Sequence, residues 1–167
     1  KLKNVKLVKK IIVVDDLSYI NPVAELISPI IVSLANNYTH ILAPASTFGK
    51  NIMPRVAVTL DVAQVSDIIK VVSSDTFIRP IYAGNALATV QSIDSKKIIT
   101  IRSTSFDPAS TEGGTAAVEN LEFKNETSPT EFIDRQENKS DRPELGTARI
   151  VISGGRGLGS AENFALL

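Results

Sequence analysis

Blocks of hydrophobic and polar residues alternate from Lys10 to Leu60 in the order expected for strands and helices. The apolar run that ends at Val14 is typical of a short strand buried on both faces. Apolar residues then recur at helical spacing from Leu26 to Leu34 and predict an amphipathic helix, which Pro29 should bend or split. Residues 39–45 predict the next strand, and residues 48–60 the next helix. This order indicates a parallel sheet with right-handed crossovers.

The pattern changes after Asp61, where β-rich runs are separated only by short turns. We expect these runs to be antiparallel neighbours, and they comprise residues 68–72, 77–82, 86–92 and 97–102. Residues 104–128 are rich in Ser, Thr, Gly, Glu and Asn, and predict a surface loop or an extended arm.

A second structural unit is expected near the end of the chain. Residues 140–145 form a charged, proline-containing linker, and a new strand is predicted over residues 148–153. We therefore predict an α/β domain over residues 1–138, a linker over residues 139–147, and the opening strand and turn of a nucleotide-binding domain over residues 148–167. The fold class is α/β, with a Rossmann-like parallel sheet, flanking helices and an additional antiparallel β region.

Composition excludes several classes of partner and site. Eighteen basic residues balance eighteen acidic ones, so no net field attracts nucleic acid or an anionic membrane. The chain has no cysteine, which excludes disulfides, thiolate metal sites and a cysteine nucleophile. The apolar run that follows Lys1 to Lys10 is too short for a signal-peptide core or a membrane span. We expect neither nucleic-acid binding nor membrane insertion.

The candidate chemistry lies in a glycine-rich turn that follows the strand predicted at Ile150. Gly155 and Gly157 flank Arg156, and a helix is expected to begin behind them. Glycines let the backbone approach a phosphate closely, and a helix N-terminus directs N–H groups at the anion. The turn departs from the dinucleotide pattern G-x-G-x-x-G, because Ser160 or Glu162 stands where the third glycine belongs. A nicotinamide dehydrogenase is therefore disfavoured.

Other candidates have a structural interpretation at least as strong as a functional one. His40 is the only histidine, and a single histidine in an apolar strand is more often structural than catalytic or metal-binding. Asp15 and Asp16 favour a solvated turn over a ligand site at the sheet edge. Residues 46–51, which include Gly49-Lys50, favour a capped helix start over a phosphate loop. We expect no catalytic residue and no metal site.

One further polar cluster lies in the β-rich region. It consists of Arg79, Tyr82, Gly84 and Asn85. The cluster is consistent with an interface for a partner subunit and equally with a structural turn.

Seven segments, in sequence order, resemble the α subunit of electron transfer flavoprotein. They are His40-Ile-Leu-Ala-Pro-Ala-Ser-Thr-Phe-Gly-Lys-Asn, Pro54-Arg-Val-Ala, Val65-Ser-Asp-Ile, Thr76-Phe-Ile-Arg-Pro-Ile-Tyr-Ala-Gly-Asn-Ala, Arg102-Ser-Thr-Ser-Phe-Asp, Ser140-Asp-Arg-Pro-Glu-Leu and Ser153-Gly-Gly-Arg-Gly-Leu. The resemblance covers residues 39–167. The resemblance implies that the family's first strand and helix are missing from this N-terminus, and that most of the FAD domain would follow Leu167.

The resemblance implies an electron carrier rather than an enzyme with its own substrate. Its FAD would be held by the C-terminal domain of the α subunit, in a heterodimer with a β subunit. Electrons would pass from acyl-CoA dehydrogenases and related dehydrogenases to a quinone oxidoreductase, in the bacterial cytoplasm or the mitochondrial matrix. Arg156, between Gly155 and Gly157, would contact the FAD, which the chain alone is not expected to hold.

Two interpretations from different functional classes are also consistent with the sequence. One is an α/β module that binds an adenine nucleotide without redox chemistry. The second is an assembly scaffold that uses the polar arm over residues 104–128 to hold a partner.

Overall fold

The computed structural model describes residues 1–124, 128, 130–136, 143, 145, 148 and 150–167. Its helices and strands, in chain order, are β1 Lys10–Val13, α1 Ala24–Leu34, β2 His40–Pro44, α2 Thr47–Thr59, β3 Gln64–Ile68, β4 Lys70–Val71, β5 Thr76–Ile81, β6 Ala86–Gln91, β7 Lys97–Ile101 and β8 Ala117–Asn120. Short 3-10 segments connect several of them. The predicted α/β class, with parallel and antiparallel strands, is confirmed.

The central sheet is parallel and has the order β2-β7-β3. Ile98, Ile99 and Thr100 of β7 are fully buried, because β7 has a neighbour on each side and side chains packed on both faces. The prediction that β7 is an antiparallel neighbour of the preceding strand is wrong. Its continuous apolar sequence is the pattern of a strand buried within a parallel sheet.

A second sheet, β4-β5-β6, is antiparallel, as predicted for the β-rich region. Along β6, half-buried and exposed residues alternate. One face of this sheet therefore packs inward, through Val90 of β6 and Phe77 of β5. The strand predicted over residues 68–72 is divided in the structure, because β3 ends at Ile68 and β4 begins at Lys70.

A third sheet pairs β1 with β8 in parallel. The prediction that residues 104–128 form only a loop or arm is therefore wrong over β8. All four β8 residues are exposed, so its sequence lacks the apolar pattern that marks a buried strand. An ion pair also joins the two strands, because Lys10 Nζ lies 2.6 Å from Glu119 Oε2.

The two helices pack on one another and on the central sheet. Their shared core contains Ala24, Ile52, Met53, Val56 and Ile98. Pro29 was predicted to bend or split this helix; α1 is continuous through Pro29, so the proline does not split it. A proline removes one helical hydrogen bond, and burial of the apolar face of the helix offsets that loss.

Contacts divide the chain into Lys1–Asp134 and Arg135–Leu167. In the second unit, residues 150–155 have no regular secondary structure. The strand predicted over residues 148–153 is therefore not formed in the described residues, since a strand requires a hydrogen-bonded neighbour. The linker predicted over residues 139–147 lies largely outside the residues that the structure describes.

Candidate functional site

The glycine-rich turn is closed by a single 3-10 turn over Arg156–Leu158. The Leu158 N–H donates to the Gly155 carbonyl at 3.0 Å, and the Gly159 N–H donates to the Arg156 carbonyl at 3.1 Å. Gly159 then takes a φ of 78°, which favours glycine and lets the chain change direction. These contacts give the turn a defined backbone shape.

The glycines of the turn differ in what surrounds them. A Cβ on Gly154 would lie 2.2 Å from Leu158 Cδ1 and 3.1 Å from Phe164 Cε1, so these side chains crowd this position. A Cβ on Gly155 or Gly157 would meet nothing within 4 Å. Packing of the described residues therefore does not explain these two glycines, and their open space suits close approach of a ligand to the backbone.

Arg156 is the cation of this turn. Its side chain is exposed and has no hydrogen bond or ion pair within the part of the chain that the structure describes. A planar guanidinium can form two parallel hydrogen bonds to phosphate oxygens. The turn thus combines an unpaired positive charge with open backbone, which suits a phosphate-bearing ligand.

The segment behind the turn differs in type from the predicted helix. It is a 3-10 segment, Glu162–Leu166, rather than an α-helix. The expected α-helix dipole is consequently absent from the described residues here. Hydrogen bonding from Ser160 holds the pKa of Glu162 below its usual range, and Asn163 Nδ2 donates to the Leu158 carbonyl at 2.5 Å. Glu162 therefore keeps its negative charge to a lower pH than a free glutamate.

His40 has partners for both ring nitrogens. Nε2 lies 2.6 Å from the Ser74 carbonyl, and Nδ1 lies 2.9 Å from Thr39 Oγ1. A carbonyl accepts only, so Nε2 donates to it, and in the neutral ring Nδ1 then accepts from the Thr39 hydroxyl. These bonds favour the structural interpretation of His40. No group of three or more metal-ligating side chains occurs in the described part of the chain.

Local caps shape the chain after β1 and after β2. Asp16 caps a 3-10 turn, because its Oδ1 accepts the Ser18 N–H at 2.9 Å. Ser46 caps α2, because its Oγ accepts the Gly49 N–H at 3.2 Å, as predicted for a capped helix start. A Cβ on Gly49 would lie 2.0 Å from the Pro44 carbonyl oxygen, so this glycine serves the packing of α2 on β2.

The polar cluster of the β-rich region surrounds the β5–β6 turn. Tyr82, Ala83 and Gly84 have φ values of 49°, 54° and 90°, and the Tyr82 side chain is 79% exposed. Arg79 lies on β5, where its Nε is buried and has no hydrogen-bond partner. The structure therefore places Tyr82, Gly84 and Asn85 in the turn and Arg79 on the preceding strand.

Sequence reasoning missed an ion pair at the carboxyl ends of two parallel strands. Arg102, after β7, pairs with Asp67 of β3, and its Nε donates to Asp67 Oδ1 at 3.3 Å. Asp67 has a φ of 57°, and its N–H donates to Thr100 Oγ1 at 2.9 Å. The continuous apolar sequence of β7 could have indicated this position. It is typical of a strand in a parallel sheet, and ligand sites in such sheets lie beyond the carboxyl ends of the strands.

Comparisons with known proteins agree with the resemblance of the seven segments. The family model described as "Electron transfer flavoprotein domain" matches residues 4–126. The chain is 51% identical over 160 residues to "Electron transfer flavoprotein subunit alpha" of Pseudomonas aeruginosa, covering 96% of the chain and 52% of the relative. The protein of the same name from Paracoccus denitrificans is 49% identical over 160 residues, with the same coverage.

A eukaryotic relative is similar over the same part of the chain. "Electron transfer flavoprotein subunit alpha, mitochondrial" of Dictyostelium discoideum is 45% identical over 175 residues, covering 96% of the chain and 49% of the relative. The chain thus spans about half the length of these relatives. Within the described residues, no helix is both long enough and apolar enough to span a membrane.

Proposed function

Since the chain belongs to the electron transfer flavoprotein family, we propose that it is part of an α subunit that carries electrons through a bound FAD. In this proposal, the protein accepts electrons from acyl-CoA dehydrogenases and related dehydrogenases and passes them to a quinone oxidoreductase. It works as a heterodimer with a β subunit. The match to residues 4–126 and the identity to named α subunits support the family-level role.

We assign FAD contact to Arg156, Gly155 and Gly157. When bound, the flavin supplies the redox chemistry, so the chain needs no acid, base or nucleophile of its own. The unpaired Arg156 guanidinium would bind the pyrophosphate or balance negative charge on the flavin. The open backbone at Gly155 and Gly157 would let the ligand approach the N–H groups. Because the turn is exposed, we expect the 167-residue chain alone to bind FAD weakly.

A non-redox nucleotide-binding module makes a different prediction for the same turn. Such a module would hold a colourless adenine nucleotide and would not need a flavin. The family match favours the flavoprotein. The assembly-scaffold interpretation has no support from the arm, because β8 within residues 104–128 pairs with β1 of the same chain.

The compartment is proposed from the relatives. The bacterial α subunits are 49% and 51% identical to the chain, and the relative named as mitochondrial is 45% identical. The bacterial cytoplasm is therefore favoured over the mitochondrial matrix.

The test is FAD retention by the full-length α subunit purified with its β subunit. Arg156→Ala should weaken FAD binding by about 10- to 100-fold, the range for loss of hydrogen bonds to a charged group. Arg156→Lys should recover only part of the affinity, because lysine lacks the planar fork. Lys50→Ala removes another cation, from α2, and serves as the control. Flavin absorbance and a titration of the apoprotein measure the loss.

Two outcomes would contradict the assignment. Equal FAD affinity in Arg156→Ala and the control would remove Arg156 from the site and leave the family role intact. A colourless wild-type heterodimer that retains an adenine nucleotide and takes up no added FAD would contradict the flavoprotein proposal and favour the non-redox module.

A further inference from the structure

The charges of the first unit are unevenly distributed, although basic and acidic residues balance over the whole chain. Residues 1–10, which we call the basic segment, contain five lysines and no acidic residue. The lysines are Lys1, Lys3, Lys6, Lys9 and Lys10, and all are exposed. Lys10 pairs with Glu119. The other four lysines form no ion pair within the described part of the chain, so the basic segment presents a concentrated positive charge.

The basic segment lies at the amino ends of two parallel strands. It leads into β1, and the Ala117 N–H, at the start of β8, donates to the Lys9 carbonyl at 3.2 Å. Glu112 is an exposed carboxylate near this end, because the adjacent Gly113 bridges to Val5. The residues beside the carboxyl ends of the strands include Asp15, Asp16, Glu122 and Lys124. Lysines therefore exceed carboxylates at the amino ends, and the reverse holds at the carboxyl ends.

Backbone contacts fix the basic segment to the folded unit. The Ala116 N–H donates to the Lys3 carbonyl at 3.0 Å, and the Gly114 N–H donates to the Asn4 carbonyl at 2.7 Å. A Cβ on Gly114 would lie 2.3 Å from the Val5 carbonyl oxygen, so this close approach of two backbones depends on glycine. The lysines therefore extend from an ordered surface, which lowers the entropy lost when they bind a partner.

The apolar residues of the basic segment divide into two sets. Val5 and Val8 are half-buried, whereas Leu2 is 64% exposed and Leu7 is 82% exposed. The two leucines stand among the unpaired lysines in the sequence, and the unit does not bury them. A bilayer surface uses both residue types, because anionic headgroups attract lysines and the boundary with the acyl chains takes up apolar side chains. A nucleic acid or an acidic protein surface would need only the lysines.

We propose that the basic segment binds the surface of an anionic lipid bilayer. The four unpaired lysines contact the headgroups, and Leu2 and Leu7 enter the boundary with the acyl chains. The carboxyl ends of β1 and β8, with their excess of carboxylates, face away from the bilayer. This is adsorption to a surface and not insertion of a spanning segment. The proposal does not depend on FAD contact, because none of these residues lies in the glycine-rich turn.

Co-sedimentation with lipid vesicles tests the proposal in the full-length α subunit in complex with its β subunit. One set of vesicles contains phosphatidylglycerol and phosphatidylcholine in equal parts, and the other contains phosphatidylcholine alone. The wild type should bind the anionic vesicles and not the neutral ones. Each lysine near an anionic surface strengthens binding about fivefold. The triple variant Lys3→Gln, Lys6→Gln, Lys9→Gln should therefore bind the anionic vesicles about 100-fold more weakly.

A second triple variant is the matched control for net charge. It consists of Lys50→Gln, Lys70→Gln and Lys124→Gln, at exposed lysines of α2, of β4 and after β8. It removes the same charge from places outside the basic segment, so its binding should remain close to that of the wild type. Equal weakening by the two triple variants would overturn the proposal, because the effect would then belong to the overall charge.

A leucine variant separates a bilayer from other anionic partners. Leu2→Ala with Leu7→Ala keeps every charge and should weaken vesicle binding about tenfold, because less apolar area leaves water. Leu87→Ala, at a leucine of β6 that is 63% exposed, is the control and should have no effect. Unchanged binding by the Leu2 and Leu7 variant would overturn the bilayer assignment and favour an acidic protein or a nucleic acid.

Two further outcomes are decisive. A wild-type complex that does not bind the anionic vesicles even at low salt, where electrostatic attraction is least screened, would overturn the proposal. Flavin absorbance of the same samples keeps this test separate from the proposed function. A colourless complex that binds the vesicles through the basic segment would contradict the flavoprotein role and support the bilayer proposal.

Discussion

Replacement of Gly49 by alanine separates two opposing effects on stability. Gly49 lies in α2, where alanine is favoured over glycine by about 1 kcal/mol on helix propensity alone. The new Cβ would lie 2.0 Å from the Pro44 carbonyl oxygen, about 1.4 Å closer than an ordinary contact of 3.4 Å. The Cβ position is fixed by the α2 backbone and the oxygen belongs to the β2 backbone, so relief requires α2 and β2 to move apart.

The steric effect should exceed the propensity effect. Overpacking in a core costs about 1–3 kcal/mol, and a backbone clash belongs at the upper end of that range. After the propensity gain, we expect Gly49→Ala to lower the free energy of unfolding by about 2 kcal/mol. For a chain of this size, that loss corresponds to a melting temperature lower by about 4–8 °C.

Thermal unfolding followed by circular dichroism measures this change in the 167-residue chain. Gly157→Ala is the matched control, because its Cβ would meet nothing within 4 Å. The control should melt within about 2 °C of the wild type, as surface substitutions usually do. A Gly49→Ala protein as stable as the wild type, or more stable, would refute the close approach of α2 to β2.

Two further predictions concern buried and hydrogen-bonded polar groups. Thr100→Val keeps the shape of a fully buried side chain but leaves the Asp67 N–H without its acceptor. The free energy of unfolding, measured in urea, should fall by about 1–3 kcal/mol. An unchanged urea midpoint would contradict this prediction. Hydrogen bonds from Ser73, Gln91 and Thr76 hold the pKa of Asp75 well below its ordinary 3.8. The hydrogen-bonded Asp75 carboxylate therefore stabilises the folded state above pH 4, and this stabilisation is lost as the pH falls through the folded-state pKa. The stability difference between wild type and Asp75→Asn should consequently shrink from pH 7 to pH 2.

Elements with a local pattern were predictable from the sequence, and elements defined by distant pairing were not. The helical spacing of α1 and the Ser46 cap of α2 are local, and both appear as predicted. The position of β7 between β2 and β3 depends on strands far apart in the sequence. β8 is harder still, because its four residues are exposed and its partner β1 lies about a hundred residues earlier.

The candidate site follows the same division. The Gly155-Arg156-Gly157 turn is contiguous, so its residue types and spacing are enough to single it out in the sequence. The Asp67–Arg102 pair requires the strand order, because it forms only when β3 and β7 end side by side. The left-handed φ of Tyr82 and Ala83 also leaves no mark in the sequence pattern, because residues of these types seldom adopt it.

The glycines of the chain differ in whether neighbouring atoms explain why the residue is glycine. Gly49 is explained by atoms of the chain, because a Cβ there would lie 2.0 Å from the backbone oxygen of Pro44. Gly155 and Gly157 have no such neighbour, although glycine loses more conformational freedom on folding than any other residue. The FAD contact that we propose for the backbone beside Arg156 would account for this loss. Contacts within the described residues do not.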